Sequence, residues 1–166
     1  MRVWVTAAFV MAALGFAGAA GAEDYRLGDL VIADPHAPAT GAHAKTAAGY
    51  LTVTNEGSAA DRLVAVKADF PEVGLHVSET DAQGVTRMRG VAGIEIPAGA
   101  TVKLEPGGAH VMFMGLTAPF VAGESVAATL VFEKAGAVEV AFGVEARGAT
   151  GAAGNPPGTK APGTGG

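Results

Sequence analysis

Methionine and histidine side chains are concentrated in one short window of the chain, between residues 76 and 114. Apart from the two methionines near its start, the chain has three methionines, and all of them lie in this window with two of its four histidines. The five residues are His76, Met88, His110, Met112 and Met114. Thioether sulfur and imidazole nitrogen together form a soft donor set that suits copper, Cu(I) in particular. The clustering therefore raises the hypothesis of a copper site.

The spacing of these residues predicts which way their side chains point. Residues at positions i and i+2 of a strand share a face, so His110, Met112 and Met114 should point the same way, opposite the apolar residues between them. His76 also alternates with apolar neighbours, and Met88 lies between two arginines. The candidate donors are therefore expected on polar or rim faces rather than in the core.

Each of these residues also has an ordinary structural explanation. A single methionine is usually core filler, and a single histidine on a strand is usually a surface or hydrogen-bonded residue. If this holds throughout, the chain is a plain β-sandwich adhesion or scaffold module. A zinc hydrolase is a further alternative, but methionine is a poor zinc ligand and the spacing of the acidic residues indicates no catalytic dyad. The chain is therefore not expected to be an enzyme.

Two further histidines, His36 and His43, flank a stretch rich in proline and alanine after the first predicted strand. Imidazole suits Cu(II), so each could supplement copper binding. The preferred interpretation is that both are ordinary exposed loop residues.

The first 22 residues are typical of a cleavable secretory signal. A positive end at Arg2 precedes an apolar run over residues 3–18, and small residues lead to Ala22 before the first acidic pair. The run is short for a membrane span and its flanks do not suit one. We therefore expect removal of residues 1–22, export of the protein and no membrane insertion of the mature form.

Charge and cysteine content restrict the class of protein further. The chain has a net charge of −5, and an acidic surface does not favour phosphate backbones, so nucleic acid is not an expected partner. There is no cysteine, so an exported form depends on its core alone, and the thiolate of a blue-copper electron carrier is missing. Residues 23–147 are enough for one domain.

The pattern along the chain is all-β. Short alternating runs separated by glycine and proline fill residues 50–144, which is typical of a sandwich or barrel. A hairpin is expected where residues 125–132 and 138–144 flank Ala135 and Gly136. After the signal no stretch has convincing helical periodicity, although a short helical turn near residues 68–72 is compatible with the pattern. Residues 148–166 are mostly Gly, Ala, Pro and Thr, so this tail is expected to be disordered.

The window that contains the candidate donors resembles the PCuAC family of periplasmic copper chaperones. The family motif is a His, optionally followed by Met, then ten residues, Met, twenty-one residues and His-x-Met. Here His76 and Val77 precede ten residues and Met88, and twenty-one residues then precede His110-Val111-Met112. Flanking segments are also similar to the family, for example Gly93-Ile94-Glu95-Ile96-Pro97-Ala98-Gly99. The resemblance covers roughly residues 25–147.

The resemblance implies a cupredoxin-like, Greek-key β-sandwich that binds one Cu(I) through His76, Met88, His110 and Met112. Met114 would be an alternate donor or a hydrophobic shield over the metal. The implied role is delivery of copper towards the CuA centre in subunit II of cytochrome c oxidase, with a Sco-type protein as collaborator. Copper sequestration for tolerance is the alternative within the same chemistry.

Two features depart from the family pattern. Val77 stands where many members have the optional methionine, which removes one sulfur. Some members carry His and Met in a C-terminal extension, whereas residues 148–166 have neither, so a Cu(II) site of that kind is not expected.

Overall fold

The structure is a computed structural model, and it describes residues 24–148. These residues form eleven strands and no helix, so the predicted all-β class is confirmed. The predicted signal peptide and nearly all of the predicted disordered tail lie outside the described residues. The strands are β1 (Tyr25–Leu27), β2 (Leu30–Pro38), β3 (Thr46–Asn55), β4 (Asp61–Lys67), β5 (Glu72–Thr80), β6 (Thr86–Val91), β7 (Ile94–Ile96), β8 (Thr101–Leu104), β9 (Ala109–Met114), β10 (Ser125–Phe132) and β11 (Gly136–Glu145).

The strands pair in the order β6-β5-β9-β3-β2-β11-β10-β4-β7, and β1 and β8 attach to β2 and β3. Long β3 changes partner along its length. Residues 46–49 pair with β9, whereas residues 51–54 pair with β8 on the same edge. The β2–β11 pair is parallel and the others are antiparallel. Strands β6, β5 and β9 thus lie at one end of the strand order.

The apolar residues that alternate along the strands form one core. On β9, Val111 and Phe113 are fully buried. The Phe113 ring lies 5.6 Å from that of Phe142 in an edge-to-face arrangement and 5.3 Å from that of Phe70. Gly49 on β3 faces both Phe113 and Phe142, and a Cβ there would come within 2.9 Å of a ring atom of each. The inner face of β9 is therefore held rigidly, which fixes the direction of its outer face.

Two local expectations have different outcomes. The predicted hairpin between β10 and β11 is confirmed, and it turns where Phe132 pairs with Gly136, which has a φ of 98°. The helical turn near residues 68–72 does not form. Residues 68–71 are an irregular connection, because Pro71 disfavours a helical conformation at the residue before it.

A buried carboxylate joins β4 to the β10–β11 turn. Asp61 is 7% exposed, and its carboxylate accepts hydrogen bonds from the backbone N–H groups of Arg62, Lys134 and Ala135 at 2.7–2.9 Å. Burial alone would raise the pKa of Asp61, but these donors and the nearby Lys134 charge outweigh it and lower the pKa. Asp61 therefore stabilises the fold as a carboxylate.

None of the described residues belongs to a helix that is long and apolar enough to cross a membrane.

Candidate metal centre

The two histidines of the window are direct neighbours in the sheet. His76 on β5 pairs with His110 on β9 across the antiparallel ladder. Their rings are nearly parallel, at 19°, with centroids 6.0 Å apart. His110 is 4% exposed and His76 is half-buried. Residues that are 34 positions apart in sequence thus present two imidazoles side by side.

The tautomer of the neutral His110 ring follows from its hydrogen bond. Its Nδ1 lies 3.1 Å from the carbonyl oxygen of Gly108. A carbonyl can only accept, so Nδ1 must donate, and in the neutral ring the lone pair is then on Nε2. Nε2 is buried, and among the described residues it has no hydrogen-bond partner. A buried imidazole nitrogen with a free lone pair has the chemistry of a metal ligand.

His76 lies between two glycines. Gly74 precedes it by two residues on the same face of β5, and Gly90 is its partner on β6. A Cβ on Gly74 would lie 3.3 Å from Cε1 and 3.7 Å from Nδ1 of the His76 ring, whereas a Cβ on Gly90 would lie 3.7 Å from Nε2. The Nδ1 atom is buried, and the described part of the chain offers it no hydrogen-bond partner. The Nδ1 edge of the ring therefore lies over Gly74, where a larger residue would crowd it.

Met112 lies next to Gly74 on the same face of the sheet. It is opposite Gly74 on β5 and Ala48 on β3, and it shares the outer face of β9 with His110. Two imidazoles, a thioether and a glycine without a side chain therefore occupy neighbouring positions of one face. This combination fits a soft metal ion.

Met88 and Met114 lie on that face but further out. Met88 on β6 is opposite Ser78, diagonal to His76, and is 55% exposed. Met114 is opposite Glu72 on β5, two residues beyond Met112 and further from the histidines. The structure therefore brings His76, His110 and Met112 to adjacent positions and leaves Met88 and Met114 at the margins.

The expected placement on polar or rim faces holds for the methionines but not for His110. Within the described residues no methionine is part of the buried core, so core filling does not explain them. His110 faces away from the core as expected, but it is buried rather than at a rim. The reason is its position on β9, an inner strand with β5 on one side and β3 on the other.

The expectation that His36 is an exposed loop residue is wrong. It lies within β2 opposite Tyr50, and its side chain is 17% exposed. A β-bulge between Ala33 and His36, with Asp34 at a φ of 49°, lets the strand continue through a segment whose proline and alanine suggest a loop. Its Nδ1 donates to the Asp34 carbonyl at 2.8 Å. His43 is exposed in a loop, as expected.

The part of the chain that the structure describes contains no cluster of histidine, cysteine and acidic ligands. No three His, Cys, Asp or Glu side chains come together there in a way that could hold a metal ion.

The glycines around the histidines were not identified from the sequence. Gly74 and Gly90 clear the His76 ring, and the carbonyl of Gly108 orients His110. Gly74 and Gly108 could be recognised from the sequence, because each precedes a histidine by two residues. Gly74 therefore shares a strand face with His76, and Gly108 lies directly before the strand that contains His110. Gly90 could be recognised only from the register of the hairpin.

The LpqE-like family model matches residues 30–144 of the chain. The chain belongs to the LpqE-like family. A protein of Leifsonia xyli subsp. xyli that is named as a lipoprotein is 36% identical over 99 residues, or 59% of this chain. The matched region spans 60% of that relative's length.

Solved structures show the same fold as this LpqE-like protein. The copper-bound PCuAC domain from PmoF2 is 32% identical with a TM-score of 0.63, and the match covers 75% of this chain and 98% of that domain. The Cu(I) form of DR1885 from Deinococcus radiodurans is 29% identical with a TM-score of 0.56, over 76% of this chain and 83% of that one. The predicted PCuAC resemblance and the cupredoxin-like β fold are confirmed.

Proposed function

We propose that this LpqE-like protein is an exported copper carrier that binds one Cu(I) ion through His76, His110, Met112 and Met88. The observation that carries the proposal is the His76–His110 pair. Each ring has a buried nitrogen for which the described residues provide no hydrogen-bond partner, and the rings lie 6.0 Å apart. Burying such nitrogens has a cost in free energy that a bound ion would offset. Solved relatives described as copper-bound and Cu(I)-bound support the choice of metal.

The donor set favours Cu(I) and also favours its release. Thioethers and neutral imidazoles are soft or intermediate donors without charge, so they stabilise Cu(I) over Cu(II) and hold it less firmly than thiolates. A thioether also cannot form a disulfide, which protects the site in an oxidising compartment. These properties suit a carrier that must give up its ion.

The proposed destination is the CuA centre in subunit II of cytochrome c oxidase, with a Sco-type protein as collaborator in the periplasm. The support for this finer assignment is the match of the donor spacing to the PCuAC motif. Sequestration for copper tolerance uses the same site chemistry but requires no receiving protein. A direct transfer assay to the CuA domain, with each protein followed by its copper content, separates the two functions.

Anaerobic titration with Cu(I) in competition with a chromogenic chelator tests the carrier proposal itself. We expect one tight equivalent for the wild type and a large loss of affinity in His76→Ala, His110→Ala and Met112→Leu. His43→Ala is the matched control, because His43 is exposed in a loop, and it should bind as the wild type does. Preference for Zn(II), or unchanged Cu(I) affinity in both histidine variants, would overturn the proposal.

A further inference from the structure

Met88 differs from the other three proposed donors in its position in the sheet. Its strand, β6, is at one end of the strand order in the described sheet and pairs with β5. Met88 is 55% exposed, whereas His110 is buried and His76 and Met112 are half-buried. Met88 is therefore the most exposed of the four proposed ligands.

The strand register separates Met88 from Met112. On β5, Met112 is opposite Gly74, two residues before His76, and Met88 is opposite Ser78, two residues after it. The two methionines are thus two strands and four residues apart, which in a flat sheet is about 17 Å between Cα atoms. In a flat sheet the two thioether sulfurs would be too far apart to bind one ion. A site that includes both therefore requires the β5–β6 hairpin to bend towards Met112.

The orientation of the His76 ring indicates on which side of it an ion would bind. Its buried Nδ1 edge faces Gly74 on the Met112 side, and its Nε2 edge faces Gly90 on β6. An ion held by Nδ1 of His76, Nε2 of His110 and the sulfur of Met112 would therefore lie on the side of the His76 ring away from Gly90 and β6. These three residues therefore form a set of donors that does not require Met88.

The surroundings of Met88 leave room for an incoming donor. Its neighbours on the same face are small and uncharged: Ser78 and Thr80 on β5, and Thr86 and Gly90 on β6. The charged residues of the hairpin alternate to the opposite face, where Arg89 lies 3.0 Å from Glu79. None of these neighbours of Met88 is charged, so none of them opposes the approach of a neutral thioether or a thiolate.

We propose that His76, His110 and Met112 retain the ion and that Met88 is the exchangeable ligand, the position at which a soft donor of another molecule enters. This inference rests on the proposed function. In the exchange the Cu(I)–sulfur bond of Met88 breaks and a bond from the incoming thioether or thiolate forms. Copper stays Cu(I) throughout, and a thiol that enters loses its proton to solvent.

The rate at which a chelator removes Cu(I), measured by stopped flow under anaerobic conditions, tests the role of Met88. In the wild type the removal rate should level off at high chelator concentration, because departure of Met88 becomes limiting. In Met88→Leu the fourth position is open, so the rate should be faster and rise linearly with chelator. The loss of Cu(I) affinity in Met88→Leu should be smaller than that in Met112→Leu by about tenfold or more.

A structural readout and a control accompany the kinetics. X-ray absorption at the copper edge should count one sulfur fewer in Met88→Leu, with the nitrogen donors unchanged. Val85→Ala is the control, because Val85 is an equally exposed apolar residue near the same hairpin turn, at 49%, and its kinetics should match the wild type. Equal affinity losses in Met88→Leu and Met112→Leu, or unchanged kinetics in Met88→Leu, would overturn this inference alone. Failure of the wild type to bind Cu(I) would overturn the proposed function.

Discussion

Gly74 lies directly opposite Met112 across the β5–β9 pair. A side chain at this position would point from the same face as Met112 and His76, and its first carbon would already contact the His76 ring. The candidate centre therefore depends on an absent side chain as much as on the donors themselves. Since neither Gly74 nor Gly90 has a positive φ, alanine is compatible with the backbone at both positions.

Alanine at the two glycines should reveal which ring nitrogen of His76 binds copper. In Gly74→Ala the added methyl lies 3.3 Å from Cε1 and beside Nδ1, so we expect Cu(I) affinity to fall about tenfold, or ~1.4 kcal/mol. In Gly90→Ala the methyl contacts Nε2 at an ordinary 3.7 Å, and affinity should change little. Chelator competition measures both. The reverse order of effects would assign the bond to Nε2.

The hydrogen bond to Gly108 makes a prediction about His110 in the metal-free protein. Long-range proton–nitrogen NMR spectra should show Nδ1 protonated and Nε2 bare, because the carbonyl requires a donor. Addition of Cu(I) should shift the Nε2 resonance and leave Nδ1 protonated. A bare Nδ1 in the metal-free protein would contradict this assignment, and exposed His43 serves as the reference for an unconstrained ring.

Much of this arrangement can be predicted from the sequence. The outward face shared by His110, Met112 and Met114 follows from alternation along one strand, which is a local property. The pairing of His76 with His110 does not, because 34 residues and three intervening strands separate them and only the register of β5 on β9 decides it. The extent of burial of His110 depends on that same pairing.

The strand that contains His36 shows the limit of reasoning from composition. Proline and alanine indicate a loop there, and the β-bulge that keeps β2 extended is formed by the non-local contact with β3. Intrinsic propensity favours a loop at these residues, and pairing with β3 stabilises the strand.

Close packing at Gly49 predicts a cost in stability for Gly49→Ala. The methyl would approach ring atoms of Phe113 and Phe142 to 2.9 Å, and rings inside a packed core have little room to move. The free energy of unfolding should fall by about 1–3 kcal/mol, measured by urea denaturation. Gly143→Ala is the matched control in a strand, because its nearest neighbour would be 4.0 Å away. Equal stabilities of the two variants would refute the packing argument.

The Asp61 carboxylate predicts a pH dependence of stability. Its pKa is lowered in the folded state, so its contribution is present above the unfolded value of about 3.9 and is lost as the pH falls through the folded pKa. At neutral pH, Asp61→Asn should lower the free energy of unfolding by about 1–2 kcal/mol, because an amide cannot accept all three backbone hydrogen bonds. The difference from wild type should shrink in acid.

Denaturation curves at neutral pH and below about pH 3 provide the comparison. Glu139→Gln on β11 is the control, because Glu139 is exposed, and its effect should be small at both values. A destabilisation by Asp61→Asn that persists undiminished in acid would show that shape rather than charge makes Asp61 important.

The long-range pairing of β5 with β9 has a consequence for when the protein acquires its cargo. An unfolded chain keeps its two imidazoles 34 residues apart, and closing such a loop before the sheet exists is entropically unfavourable. A newly synthesised polypeptide would therefore bind the ion weakly. Loading is a late event, which begins once the nascent sheet has closed.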